Sequence, residues 1–345
     1  MSTATTDRPG PPPTPARGER REHLAYRALR LVLVERPVLL LAALVIVLAY
    51  FGQYRGYLTL SFLGEQTAIS LEVGLLALGQ LVVILTGRGA IDLSAGAMVS
   101  MASMVFGFTA GLWGWPLPLA VLATLAAGWL MGALNGYLAA YVGYPAIIVT
   151  LATWYVWRSV ALVVNDTKPI SAELPGGIDG LVGTVAGLRL HILVVFVPVV
   201  VVIWVLLNRT TFGRRTIAVG GNPEAARLAG INVSRHTVML YVVVGLCCGI
   251  AALMITARTT TGSSTHGTLY ELDAIAAVVI GGTLLSGGRG TIVGTVFGVL
   301  IFTTLSNVFV QNDLSSSAQS VAKGAIIVAA VLLQQRFARQ SSSSP

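Results

Sequence analysis

Apolar residues run along this chain in long blocks, not in the alternation of a strand or the one-sided stripe of a surface helix. Ten blocks can be marked off, near 37–53, 66–86, 90–111, 117–141, 145–164, 190–207, 237–257, 272–287, 291–310 and 319–335. Most are close to the ~20 residues that carry a helix across a bilayer. Residues 93–157 hold no charged side chain, and that run alone predicts about three crossings. GLWGWP at 111–116 and GYP at 143–145 supply turns inside it. The expected fold is an all-α polytopic membrane protein of about ten transmembrane helices, some of them broken.

Composition agrees and excludes a soluble enzyme. Charged residues are 10% of the chain, against about 25% in an average soluble domain. The Pro-rich and Arg-rich segment 1–30 reads as a disordered cytoplasmic tail, 31–336 as one transmembrane domain, and 337–345 as a short polar C-terminal tail. With the N-terminus inside, the internal segments hold sixteen Lys and Arg and the external ones four, which favours both termini on the cytoplasmic side. The net charge of +8 therefore reports orientation, not nucleic-acid binding. Adjacent Cys247 and Cys248 read as small buried core residues. Four scattered histidines, at 23, 191, 236 and 266, make no metal or catalytic set.

The longest internal loop, 208–236, carries a short punctuated helix. Asn222 suits its N-cap, Pro223 its first position, Glu224 the positive end of its dipole, and Gly230 a left-handed stop. A helix so short is unstable alone in water, so it must dock on its own bundle or on a cytosolic partner. Arg214, Arg215, Arg227 and Arg235 surround it. An ordinary capped connector is the plainer reading.

The stretch AVGGNPEAARLAGI resembles the cytoplasmic coupling loop of bacterial ABC importer permeases, with its Glu-Ala-Ala…Gly pattern at Glu224, Ala225, Ala226 and Gly230. GAIDLSAGAMVSMASM at 89–104, NGYLAAYVGYPAIIVTLAT at 135–153 and AIAAVVIGGTLLSGGRGTIVGTVFGVL at 274–300 are similar to the ribose, xylose, arabinose and galactose branch of that family. The resemblance spans roughly 40–335. It implies a monosaccharide permease in the bacterial cytoplasmic membrane that works as a pair, as homo- or heterodimer. Its implied partners are an ABC ATPase subunit, touched by Asn222 to Arg227 and Gly230, and a periplasmic or lipid-anchored sugar-binding protein. ATP and Mg would sit on the ATPase subunit, with no cofactor or metal on this chain. The residues agree: Lys168 precedes Pro169 and Lys323 precedes Gly324, so neither can be the lysine of a phosphate-binding loop.

Ionisable residues within the blocks are costly, which singles out Glu72, Asp92, Arg158, Asp273 and Lys323. Asp273 and Lys323 fall near predicted span ends, where capping or snorkelling suffices, and Arg158 falls near an interface. Asp92 sits in GAIDLSAG, a break where it can cap the following helix, line a polar pathway, or both. GGTLLSGG at 281–288 matches that octet loosely and suggests a second break. Ser94, Asn135, Thr150, Thr153 and Asn307 join Asp92 as candidate pathway residues, with Gln80 and Ser306 beside them; each Thr or Ser can instead bond its own helix backbone. Trp113, Trp115 and Trp154 read as interface residues. Two other functions stay open: a permease of the same kind for a branched-chain amino acid, an inositol or another small solute, and an ion-coupled carrier using Glu72 or Asp92.

Overall fold

A computed structural model describes residues 60–171, 184–185, 188–325, 328 and 332. The block at 37–53 and both predicted tails lie outside these residues. The chain forms helices α1 (Leu60–Ile84), α2 (Ala95–Phe106), α3 (Leu117–Tyr137), α4 (Ala146–Val163), α5 (Val197–Arg209), α6 (Thr211–Gly221), α7 (Pro223–Leu228), α8 (Val233–Thr259), α9 (Tyr270–Ile280) and α10 (Ile292–Gln311). A further helical stretch covers 316–325. π-Helical turns extend α2 to Leu112 and α3 to Val142, and Ile192–Phe196 leads into α5. Among the described residues, six helices are long and apolar enough to cross a membrane: those over 95–112, 117–142, 146–163, 192–209, 233–259 and 292–309. A shorter apolar stretch lies at Ser70–Ile84. The protein is polytopic and mostly helical.

Helix α8 is the axle. It packs against α3, α1 and α2, and Leu240, Tyr241, Val244, Cys248, Ala251 and Ala252 along it are buried in the central core. Both cysteines are buried. Its contact with α3 is made backbone to backbone. A Cβ placed on Gly245 would collide with the Gly128 carbonyl oxygen, and one on Gly132 with that of Tyr241. Small residues four apart let helices approach this closely.

Two elements depart from the expected spans. The block 90–111 does not enter as a helix: residues 85–94 are turn and irregular backbone, and helix begins only at Ala95. The block 272–287 is only partly helical: it holds the end of α9, a helix of eleven residues in all, about 16 Å long and too short to cross. Residues 281–291 then turn back so that α10 lies antiparallel to α9, with Gly281 against Gly294 and Gly298 against Ala277. GGTLLSGG is thus a turn joining two helices at one end of the bundle. The true counterpart of the break before α2 is the stretch before α9. Strand β2 (Thr261–Gly262) pairs with β1 (Ile170–Ser171) at the opposite end. From there Gly262 packs on Ser103 and Gly107, and Gly267 packs on Gly96 and Val99. The chain therefore descends two turns of α2, roughly 11 Å, before α9 starts. Both α2 and α9 have their N-termini deep in the bundle.

Replacing Gly245 with Val is expected to force α3 and α8 apart at a cost of about 1–3 kcal/mol, read as a lower melting temperature of the purified protein. Gly221→Ala, with nothing within 4 Å of the added carbon, is expected to melt like wild type. Equal melting of Gly245→Val and wild type would contradict the close contact.

Candidate functional site

Three polar constructions stand out, one at an end of the bundle and two within it. At the end, α5 turns into α6, α7 and α8. Asn222 caps α7 by accepting the backbone N–H groups of Glu224 (3.0 Å) and Ala225 (3.1 Å) through Oδ1. Pro223 is its first residue, and Arg227 lies in its last turn. Gly230 follows at φ +82°, and the N–H of Ile231 returns to the Ala226 carbonyl at 3.0 Å. Ala226 is buried, whereas Glu224, Ala225, Arg227 and Leu228 are exposed. Leu228 is 83% exposed. The helix therefore docks through one small residue and presents its other faces outward. Arg227 and Glu224 approach only to 3.8 Å and are both well exposed, so their pairing holds neither in place.

Behind α7 lies a helix that the loop reading of 208–222 missed. α6 is capped by Thr210, whose Oγ1 accepts the Phe212 N–H at 3.1 Å, and it buries Gly213, Thr216 and Val219. That three-residue spacing, with a capping threonine ahead of it, was the available signal. Thr216 Oγ1 bonds His236 Nε2 of α8 at 2.9 Å. At its far end Gly220 abuts the Leu85 carbonyl, which accepts the N–H of Gly288 at 2.9 Å. So α6 touches the axle helix and both turns that precede α2 and α10. A cleft of about 360 Å³ opens here between Arg88, Tyr144, Pro223, Arg227 and Tyr241.

The second construction closes the break before α2. Asp92 Oδ1 accepts the Ser94 N–H at 2.8 Å and the Ser94 hydroxyl at 2.6 Å. Asn135 Nδ2 of α3 donates to Ser94 Oγ at 2.7 Å and, at 3.4 Å, to Asp92 Oδ2. Gln80 of α1 clamps the Asp92 backbone, donating Nε2 to its carbonyl and accepting its N–H at 3.2 Å. Asp92, Ser94, Asn135 and Gln80 are fully buried. The formal N-cap of α2 is Ser94, without a side-chain cap bond, so Asp92 folds the turn ahead of the helix and does not cap it. Asn135 Oδ1 and the Tyr241 hydroxyl remain without partners among the described residues.

Of the other pathway candidates, Thr150 and Thr153 bond their own helix through the carbonyls of Ala146 (2.9 Å) and Val149 (3.1 Å). Thr150 also reaches the Ile91 carbonyl at 3.3 Å, next to Asp92. Ser306 bonds the Phe302 carbonyl of its own helix at 3.0 Å. Asn307 stands near the C-terminal end of α10, outside the Asp92 cluster, with Nδ2 unpartnered among the described residues.

The charged residues in or near the spans are paired across elements. Glu72 of α1 accepts from Arg258 Nε of α8 at 3.1 Å. Asp273 of α9 meets Lys323 at 2.9 Å, and the ammonium also lies 5.3 Å from the Phe302 ring centroid. Those two residues are thus tied to each other, not capped or snorkelling at separate span ends. Arg158 points to the third construction, the stretch before α9. Its guanidinium donates to the carbonyls of Ser264 (2.7 Å), His266 (3.1 Å) and Gly267 (3.3 Å). One turn before it, Trp154 donates Nε1 to Glu271 Oε1 at 3.1 Å. Trp154 is therefore a half-buried hydrogen-bond donor, not only an interface residue. Sequence reasoning missed Glu271 because it precedes the apolar block, where carboxylates are ordinary.

A family described as branched-chain amino acid transport system / permease component matches residues 63–331. The chain belongs to this permease family. It is 41% identical to the ribose import permease protein of Bacillus subtilis over 79% of this chain and 83% of that protein. It is 35% identical to the xylose transport system permease protein of Escherichia coli strain K12 (88% and 92%) and 36% to the fructose import permease protein of Rhizobium meliloti (72% and 70%). No solved structure matches. The permease is a multi-pass membrane protein, as the family and its apolar helices indicate.

Asp92→Ala removes the acceptor for two Ser94 donors and is expected to cost a few kcal/mol, at about 1–3 kcal/mol per unsatisfied buried group. Asp92→Asn keeps the acceptor for both Ser94 donors and gives up only the long 3.4 Å contact from Asn135 Nδ2, so it is expected to lose clearly less stability in detergent than the alanine variant. Equal loss in both variants would contradict the hydrogen-bond account.

Proposed function

We propose that this permease is the transmembrane subunit of an ATP-driven ABC importer that passes a monosaccharide, delivered by an extracytoplasmic binding protein, through a pair of permease copies. The observation that carries the coupling role is α7: a capped helix of six residues with a single buried residue and an 83%-exposed leucine. Such a helix gains little from its own chain and suits a groove on an ATPase subunit. Movement of α7 passes to α6, and from there to α8 through Thr216 and His236 and to the turns at Leu85 and Gly288. The first of those turns leads into α2, and the second joins α9 to α10. ATP and Mg belong to the partner, and this chain takes part through Asn222, Pro223, Glu224, Ala225, Ala226, Arg227 and Gly230. Ten crossings with both termini inside remain the topology that the charge distribution favours.

Relatives named for ribose, xylose and fructose import support a sugar as cargo. Asp92, Ser94 and Asn135 mark the route on the α7 side of the bundle, beside the cleft that ends at Tyr241. An ion-coupled carrier needs a buried carboxylate able to exchange its ion. The two carboxylates named for that role are both engaged, Glu72 by Arg258 and Asp92 by Ser94 and Asn135, which favours the ATP-driven reading over an ion-coupled carrier using either of them.

Glu224→Ala and Gly230→Val are expected to abolish sugar uptake in cells while leaving the amount of membrane-inserted protein unchanged, as assayed by labelled-sugar uptake beside immunoblotting. Wild-type uptake is expected to stop on ATP depletion and to survive an ionophore. Uptake by both variants, or collapse with the ionophore alone, would contradict the proposal.

A further inference from the structure

The two breaks deep in the bundle are closed differently. Around Asp92 both carboxylate oxygens have donors. Before α9, the backbone of 263–267 is well served: Ser100 Oγ donates to the Ser264 carbonyl at 2.6 Å, the Ser263 N–H reaches Ser103 Oγ at 3.2 Å, and Arg158 holds three carbonyls. Two side-chain atoms are left over. Glu271 is 5% exposed, and its Oε2 has no partner among the described residues. Ser264 is 1% exposed, and its Oγ has none either. Glu271 Oε2 lies against Gly96 in the first turn of α2, while Oε1 is fixed by Trp154. A buried carboxylate oxygen without a donor is expensive, and its neighbours here are arranged to orient it, not to satisfy it. Irregular backbone at membrane depth is tolerated where it is buried in protein or lines a transport route, and helices that begin at that depth recur at substrate sites of carriers.

We propose that Glu271 and Ser264, oriented by Trp154 and Arg158, form a hydroxyl-recognition site for the sugar on its way through the permease. The inference rests on the monosaccharide reading above and deepens it. Glu271 Oε2 accepts a hydrogen bond from a sugar hydroxyl, and Ser264 Oγ donates to or accepts from a sugar oxygen. Both atoms are closed from solvent in this conformation, and the sugar reaches them when Arg158 releases the carbonyls of Ser264, His266 and Gly267. Trp154 keeps the carboxylate aimed while that happens, because its bond is to the other oxygen.

The test uses the whole importer in proteoliposomes, with permease, ATPase subunit and sugar-saturated binding protein. Wild type, Glu271→Gln and Ser264→Ala are compared for maximal uptake of D-ribose, D-xylose and D-fructose and of the singly deoxygenated analogues of whichever sugar is carried. Glu271→Gln keeps the acceptor for Trp154 and turns the free acceptor into a donor. Removing one particular hydroxyl is expected to slow the wild type at least tenfold and to slow Glu271→Gln no further, as for a lost charge-assisted hydrogen bond. Ser264→Ala provides the same comparison independently. A variant that slows every sugar and every analogue by one common factor would overturn the proposal, leaving the carboxylate as a brace. Failure of the wild type to carry any of the three sugars would overturn the monosaccharide reading first and this site with it.

Discussion

Two helices that meet backbone to backbone at Gly128, Gly132 and Gly245 hold the rest of the permease in register. Water is absent at that depth, so packing and hydrogen bonds must do what hydrophobic burial does in a soluble core. Once α8 lies on α3, its Tyr241 and Cys248 face the Asp92 side of the bundle. Its Arg258 meets Glu72, its Thr256 bonds Ser103 of α2 at 2.9 Å, and its His236 meets Thr216 of α6. One rigid helix thus joins the exposed helix α7 to both ends of the bundle.

The same scarcity of water explains where the polar residues are. Helix interrupted inside a membrane leaves peptide groups that must find partners. Gln80, the Asp92 carboxylate and Thr150 supply them around residue 92, and Ser100, Ser103 and Arg158 supply them around 263–267. The charged residues obey a related rule. Glu72 and Arg258, like Asp273 and Lys323, come from different elements, so each pair also fixes how those elements sit.

What the sequence displays openly is whatever depends on near neighbours. Asn222, Pro223 and Gly230 punctuate α7 within nine positions, and the geometry follows from local capping. The break at GAIDLSAG is equally local. Family resemblance extends that legibility to the permease identity, since several motifs stand in the same order. The break before α9 is hidden because 262–269 is a plain polar run whose depth is set by packing on Gly96 and Gly107, more than 150 positions earlier. Glu271 is hidden for the same reason, its partner Trp154 being 117 positions away. The octet at 281–288 misleads because glycine-rich text serves both a deep break and an end turn. Thr150 and Thr153 show the limit of composition: their hydroxyls mostly serve their own helix.

In the proposed importer, α7 is the surface through which an ATPase subunit moves this chain. Its most direct test is a single cysteine at Leu228, the large apolar residue that helix exposes, since the native Cys247 and Cys248 are buried and stay silent toward a membrane-impermeant thiol crosslinker. In membranes containing the assembled importer, Leu228→Cys is expected to crosslink to the ATPase subunit, with a yield that changes between ATP-bound and nucleotide-free states. A thiol that reacts with a soluble maleimide equally well with and without the ATPase subunit, and never crosslinks to it, would contradict the account.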